Sequence, residues 1–303
     1  MTTTTTARPS TSAFATRVAA ITRLTPHFTR VTLEGDELCH FGTDGHDQRI
    51  KLVLPLPGDR YSDFGLFDDP GDDRMSWVRR WRELPDADRN PIRTYSVRAV
   101  RPELSQIDVD FVLHGTEGPA SAWADAAAIG DPLIIVGPDS RGEASGRGIE
   151  WKPGTATNVL LAGDETAVPA ICSIIERLGE HMSGLALIEV PTAADAVPVT
   201  TASGVEVRWL ARDDNPHGAL LTSAVEEWGR ARAGTPRVDE ELALMPDGIV
   251  WDAPTGVGEE YAWLAGESSV ITGIRRHLVR DLGVDRTSVA FMGYWRKGRA
   301  EGS

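Results

Sequence analysis

Arg93-Thr94-Tyr95-Ser96-Val97-Arg98 is the stretch on which the reading of this chain turns. It follows Pro91, which can open a strand, and it sits in a run of strand-forming residues. On a strand of period two, Tyr95 presents a flat face to one side. Thr94 and Ser96 present short hydroxyls to the other. Arg93 and Arg98 add fixed cationic forks of the kind that grip a pyrophosphate. Ring, hydroxyl and cation within one short strand suit a ligand that joins a flat ring system to a pyrophosphate. The plain alternative is a tyrosine-bearing edge strand with solvated arginines.

Working outward, the stretch is one of a set. Phe14 to Leu24, Phe28 to Leu33, Arg49 to Leu54, Ile92 to Val100, Ile107 to Leu113 and Leu133 to Val136 are short runs rich in Val, Ile, Leu, Phe and Thr. Thr25-Pro26, Glu34-Gly35-Asp36 and Pro57-Gly58-Asp59 supply turn chemistry between them. The pattern predicts an N-terminal antiparallel six-stranded β-barrel. Asp63 to Asn90 is polar, with Trp77 and Trp81 one helical turn apart, and reads as a long loop carrying a short helix.

The pattern changes after Trp151-Lys152-Pro153-Gly154-Thr155. Strand-like runs at Asn158 to Ala162, Leu185 to Val190, Val205 to Leu210, Tyr261 to Ala265 and Ser288 to Tyr294 alternate with helical patterns. The helices are expected at Val168 to Leu178, His217 to Arg232 and Glu267 to Leu282. Alternation of this kind predicts a C-terminal α/β doubly wound parallel sheet. Arg232 to Tyr261 is expected to be mostly loop. The expected organisation is a flexible arm over 1–12, a barrel domain over 13–152 and an α/β domain over 153–303.

Bulk properties set limits. The chain has 303 residues, 41% of them apolar, enough for two cores, and a formal net charge of −14. That balance speaks against nucleic-acid or anionic-membrane binding. The two cysteines, Cys39 and Cys172, lie far apart, and no Cys/His cluster has metal-ligand spacing, so no metal site is expected. With no apolar run of spanning length and no secretory leader pattern, a cytoplasmic monomer is the expectation.

Two further motifs carry chemistry. Asp110-Phe111-Val112-Leu113-His114-Gly115 ends a strand, and Gly118-Pro119-Ala120-Ser121 then opens a helix with Pro at its first position. Backbone N–H groups from Gly118 to Ser121 would converge there as an anion site; a capped helix without a ligand is the alternative. In the second half, Leu161-Ala162-Gly163-Asp164-Glu165-Thr166 echoes Leu264-Ala265-Gly266-Glu267-Ser268-Ser269. Both junctions fall at carboxyl ends of strands, the edge where open α/β sheets take ligands. Simple helix capping accounts for the acids and hydroxyls, while the repeated small residues fit close approach of a ligand to the backbone. Neither junction is a GxGxxG fingerprint, which favours a loosely held, exchangeable dinucleotide.

Taken in order and spacing, these motifs, with Gly293-Tyr294-Trp295-Arg296, resemble the siderophore-interacting proteins, a branch of the ferredoxin-reductase-like flavoproteins. The resemblance runs from about Phe14 to Arg296. It implies an FAD-binding barrel followed by a nicotinamide-binding domain. By that resemblance FAD would be held at Arg93, Thr94, Tyr95, Ser96, Val97, Asp110, Val112, His114, Gly118, Ala120 and Ser121. NAD(P)H would lie against Asp164, Glu165, Thr166, Gly266, Glu267, Tyr294 and Trp295; plain domain packing is the alternative for Tyr294 and Trp295. The implied activity is a ferric-siderophore reductase: hydride passes from NAD(P)H to flavin, and single electrons then reduce Fe(III) in the chelate.

Many such chelates are anionic, so Lys51, Arg141 and Arg296 are candidate substrate contacts, each with a solvated surface charge as the alternative. Family members often carry arginine directly after Gly-Pro; here Gly137-Pro138 is followed by Asp139, which points to a less anionic substrate. No arginine follows Leu185 to Val190, where a 2′-phosphate would be met, although Arg208 and Arg212 could compensate. The reading leans to NADH. A ferredoxin donor, a general flavin reductase and a siderophore-binding module without turnover are the competing readings.

Overall fold

The computed structural model describes residues 10–42, 45–68, 76–113, 118–143, 146–232 and 250–298. Two units emerge: residues up to Arg23 with Thr29–Gly148, and Leu24–Phe28 with the chain from Ile149 onward.

Alternation builds the first unit. Along β1 (Thr11–Arg23), Phe14, Thr16 and Val18 are buried while Ala15 and Arg17 between them are exposed. The same logic forms β2 (Phe28–Glu34), β3 (Arg49–Val53), β4 (Ile92–Arg101), β5 (Gln106–Val112) and β6 (Pro132–Pro138). They close into an antiparallel barrel in the order β1-β2-β5-β4-β3-β6. Phe14, Val31, Leu33, Phe41, Ile50, Leu52, Phe111 and Ile135 fill its interior. Full burial of each stabilises by about 1.5–3 kcal/mol before chain entropy is counted.

Outside the barrel, the short helix foreseen in the polar segment is α1 (Ser76–Glu83). Its Trp77 and Trp81 pack with Phe64, Val53, Ile134 and Val136 in a second apolar cluster. Buried Asn90 fixes the segment by donating to the Leu54 and Arg60 carbonyls at 2.9 and 3.1 Å and accepting from Ser62 N. A further helix, α2 (Pro119–Ala126), sets Ala120 and Ala124 into the main core. One expectation is corrected here. Thr11 and Ser12, read as part of an arm over 1–12, belong to β1: they pair with Pro138 and Gly137, and Ser12 Oγ donates to Asp139. Residues 1–9 lie outside the described residues.

The second unit holds β7 (Asn158–Gly163), α3 (Val168–Ile175), β8 (Ser183–Val190), β9 (Gly204–Ala211), α4 (Ala219–Arg230), β10 (Trp251–Asp252), β11 (Glu260–Glu267), α5 (Ser268–Arg275) and β12 (Val289–Trp295). The sheet order is β10-β12-β11-β7-β8-β9. Its strands run parallel except β10, which pairs antiparallel with β12 through Trp251↔Met292 and Asp252↔Phe291. The parallel sheet expected from sequence is therefore mixed at one edge. Two residues of strand are too short to leave a periodic signal.

Leu160, Ala162 and Leu264 face α4 and α5 through Leu221, Val225, Ile271 and Ile274. Alternation sends Gly163 to the other face, beneath α3. A Cβ at Gly163 would stand 2.5 Å from Ala167 Cβ and 2.6 Å from the Ala265 carbonyl oxygen. The small residue at this junction has a packing reason that needs no ligand. Gly163→Ala is accordingly expected to destabilise the protein by about 1–3 kcal/mol through forced backbone displacement. Chemical denaturation would show it as a lowered midpoint, and an unchanged midpoint would contradict the packing.

Candidate functional site

In the first unit the site is built on β4. Register places Tyr95 opposite Ile50 and Arg93 opposite Leu52, with Thr94 opposite Lys51 and Ser96 opposite Arg49 on the alternate face. The half-buried Tyr95 ring lies 4.6 Å from Phe111, and Phe111 lies 5.6 Å from Trp123 of α2. These inclined rings couple β4 to the helix that carries the Gly-Pro motif. At the start of α2, Gly118 is extended (φ −95°, ψ 139°), Pro119 occupies the first turn, and no side chain among the described residues caps the helix. Ala120 and Ser121 are buried in that first turn. Its N-terminal N–H groups and the helix dipole are what an anion would meet.

The other predicted flavin contacts divide. Ser96 and Val97 are buried in β4, and Val112 is buried at the end of β5. Arg93 donates to the Ile92 carbonyl at 2.8 Å, and Lys51 donates to Thr94 Oγ1. Asp110 is engaged within the barrel: Arg30 grips both its oxygens at 2.7 and 2.9 Å, and Arg98 lies 3.9 Å away. Nearby Asp108 is held likewise by Arg101 and Thr32. Burial would raise Asp108, but these bonds outweigh it and lower its pKa. His114 lies outside the described residues.

In the second unit, chemistry gathers at the carboxyl edge of the sheet. Asp164 follows β7 and is fully buried. Its Oδ1 accepts from Thr166 N at 2.9 Å and Thr166 Oγ1 at 2.5 Å. Its Oδ2 accepts from Glu267 N at 2.8 Å and from Trp295 Nε1 at 2.9 Å. Glu165 beside it receives the Arg212 fork, Nη1 and Nη2 each at 3.0 Å. His217 Nε2 stands 3.5 Å from both Asp164 Oδ2 and Glu165 Oε2, and its ring meets Trp295 edge-on at 5.2 Å. At that separation the histidine contacts are Coulombic rather than well-formed hydrogen bonds.

The charges set each other. Burial would raise Glu165, yet His217 and Arg212 overcome it and bring its pKa to about 2. Burial would lower His217, yet the Glu165 and Asp164 carboxylates overcome it and raise its pKa. Asp164, Glu165 and His217 offer ligand-type atoms within 4.8 Å of one another. The donor set is nevertheless that of a charge cluster, because Asp164 already accepts four hydrogen bonds and Arg212 covers both oxygens of Glu165.

The structure gathers Asp164, Glu165, Thr166 and Trp295 at this edge together with His217 and Glu189, which the sequence reading did not single out, and with Arg212, to which it gave another task. Gly266 has φ +156°, and a Cβ there would lie 2.7 Å from Asp164 Oδ2, so this glycine makes room for the carboxylate. Glu267 caps α5 by accepting from Ser269 N at 2.7 Å and Val270 N at 3.0 Å. Tyr294 points away from the cluster, stacking on Trp251 at 6.1 Å and meeting Trp263 edge-on at 6.0 Å. Of the cations read as substrate contacts, Arg141 is tied to Asp139 at 2.8 Å and Glu37 at 2.6 Å. Burial would raise Asp139, but Arg141 and Ser12 bring its pKa down to about 2. Arg296 is exposed after β12.

The fold, an antiparallel six-stranded barrel followed by an α/β sheet, is shared with the ferredoxin reductase in carbazole 1,9a-dioxygenase, with a TM-score of 0.56 at 16% identity, covering 94% of this chain and 70% of that one. Residues 17–142 match the siderophore-interacting FAD-binding domain, and residues 156–298 match the siderophore-interacting protein domain. The chain belongs to the siderophore-interacting protein family. An uncharacterized protein of Mycobacterium tuberculosis is 32% identical, over 94% of this chain and 90% of that protein. Ferric vibriobactin reductase ViuB of Vibrio cholerae is 26% identical, over 90% of this chain and 85% of its own. The crystal structure of a siderophore utilization protein from T. fusca superposes with a TM-score of 0.71 at 26% identity, covering 97% of each chain.

The cluster has a pH signature. His217 has its pKa raised in the folded state, so its stabilisation is fully present below about 6.5 and is lost as pH rises through the raised value. Glu165 contributes above about 4.5 and loses that contribution as pH falls toward 2. His217→Gln should therefore cost most melting temperature near about pH 6, with the gap to the parent protein narrowing toward about pH 9. A gap that is constant across this range would show that the histidine charge is not what the carboxylates need.

Proposed function

We propose that this protein is an FAD-dependent reductase that draws electrons from a reduced nicotinamide dinucleotide and delivers them to Fe(III) held in a siderophore. The observation that carries the reading is the Tyr95–Phe111–Trp123 ring series leading to the Gly118-Pro119 start of α2, in a chain of the siderophore-interacting family. A flat ring system fits beside Tyr95, and a pyrophosphate fits the N–H groups from Gly118 to Ser121. ViuB, a relative along most of the chain, is named as a ferric vibriobactin reductase, which supports the same acceptor class here.

When bound, FAD supplies the conversion between two-electron chemistry at the nicotinamide and one-electron chemistry at iron. The chain's own residues orient and polarise. Tyr95 offers its ring face, with Phe111 behind it limiting rotation. Ser96 and Thr94 lie on the alternate face of β4, where hydroxyls meet polar ring edges. Arg93 and the α2 terminus answer pyrophosphate charge. In the second unit, Asp164 fixes the Trp295 indole through Nε1, which holds an aromatic edge in place for the nicotinamide. The protein supplies no iron ligands in this reading. Lys51, which also donates to Thr94, and Arg296 are the cations that would attract an anionic chelate; Arg141 is ion-paired with Asp139 and Glu37.

The test begins with the visible spectrum of FAD-incubated, desalted protein under anaerobic conditions. A retained flavin that bleaches with NADH or NADPH and returns on adding a ferric siderophore is the expected result; a protein that retains no flavin contradicts the proposal. Tyr95→Phe should keep the flavin. Tyr95→Ala should weaken it about tenfold or more, the scale of one lost aromatic contact. Lys51→Ala should raise KM for an anionic chelate and leave the rate of flavin reduction unchanged.

A further inference from the structure

We propose that the second unit discriminates against NADPH in favour of NADH, and that the Glu165–Arg212–Glu189 clamp is the feature that does so. The proposal rests on the reading of this unit as the nicotinamide-dinucleotide site. NADPH differs from NADH only in a 2′-phosphate, which is close to dianionic near neutrality. A site accepts that group with an arginine fork or cation cluster that still has donors to give.

Dinucleotides cross open α/β sheets at the point where strand order reverses, outside the carboxyl ends. Here that point lies between β7 and β11, and β8 and β9 extend from it to one side. Arg208 and Arg212 are the arginines on or directly after β9. Arg212 presents both terminal nitrogens to Glu165 and adds a 3.3 Å contact to Glu189, with its side chain only 16% exposed. Glu189 is itself buried and holds the start of α4 by accepting from Gly218 N at 2.6 Å and Leu221 N at 2.9 Å. Turning Arg212 toward a phosphate would leave two carboxylates, one of them fully buried, without their counterion.

Arg208 is paired fork to fork with Glu206 at 2.7 and 3.1 Å. His217 is held by Asp164 and Glu165. The turn after β8 contains no cation of its own. Asp195 in that turn caps it through Thr192, and it also accepts from Thr25 Oγ1 and from His27 N and contacts His27 Nδ1 at 2.7 Å. The arginines that would meet a 2′-phosphate, Arg208 and Arg212, thus already have their donors engaged by carboxylates.

The test compares both dinucleotides by two readouts. Calorimetric titration of the FAD-loaded protein with NAD+ and NADP+ gives binding, and anaerobic flavin reduction by NADH and NADPH gives kcat/KM. NADH is expected to exceed NADPH by about tenfold or more, with NADP+ binding correspondingly weaker. NADPH equal to or better than NADH overturns the proposal while leaving the reductase reading intact. If neither dinucleotide binds nor reduces the flavin, the nicotinamide reading fails and takes this proposal with it. Ala194→Arg, on an exposed position of the turn after β8, supplies a cation without a built-in partner. It should raise NADP+ affinity about fivefold or more and leave NAD+ unchanged. No gain for NADP+ would show that the missing cation is not what decides the preference.

Discussion

Asp164 is the joint on which the second unit depends. One buried carboxylate receives the backbone N–H at the end of β11, the indole N–H at the end of β12 and the first turn after β7. Those donors have no water to fall back on, so each would cost about 1–3 kcal/mol if the acceptor were lost. The dependency spreads from there. Burial and the adjacent Glu165 push the Asp164 pKa up, and His217 stands against both acids; Arg212 pairs with Glu165 and Glu189, and Glu189 caps α4. The two echoing junctions of the sequence are complementary rather than duplicate. The acid of the first needs the glycine of the second, because only a residue without Cβ leaves space for the Asp164 oxygen.

The barrel uses a parallel device in a different place. Asp108 and Asp110 lie on β5, and arginines from β2 and β4 answer them across the strands. The ladder of β2, β5 and β4 is thereby tied by side chains as well as by backbone bonds. Arg98, at the end of the opening motif, belongs to this network. Part of what reads in sequence as a ligand-binding cationic motif is structural, since Arg98 stands against Asp110 across the strands.

Elements of the fold were legible where the signal is local. The barrel strands fall within two residues of their expected limits except at the start of β1, three residues earlier than Phe14, because alternation such as that at Phe14, Thr16 and Val18 is visible in one strand alone. The helix carrying Trp77 and Trp81 was legible from a single i,i+4 spacing. What stayed hidden depends on distant partners. Glu165, Glu189, Arg212 and His217 come together only because three strands end at one edge, and no periodicity encodes that. Arg212 could be read from sequence as a phosphate contact because its carboxylate partners are invisible until the sheet is assembled. Tyr294 and Trp295 adjoin in sequence yet face opposite ways, as neighbours on a strand must.

Sheet boundaries bear on how the molecule behaves in a crowded solution. The barrel is closed, so the strands of the first unit present no row of unsatisfied backbone groups to another copy. Among the described residues, the sheet of the second unit ends on one side at β10, which is two residues long, and on the other at β9, where Glu206 and Arg208 stand exposed. A very short strand and a charged one are both poor templates for intermolecular pairing. The net charge of −14 adds repulsion between copies to these two edge features.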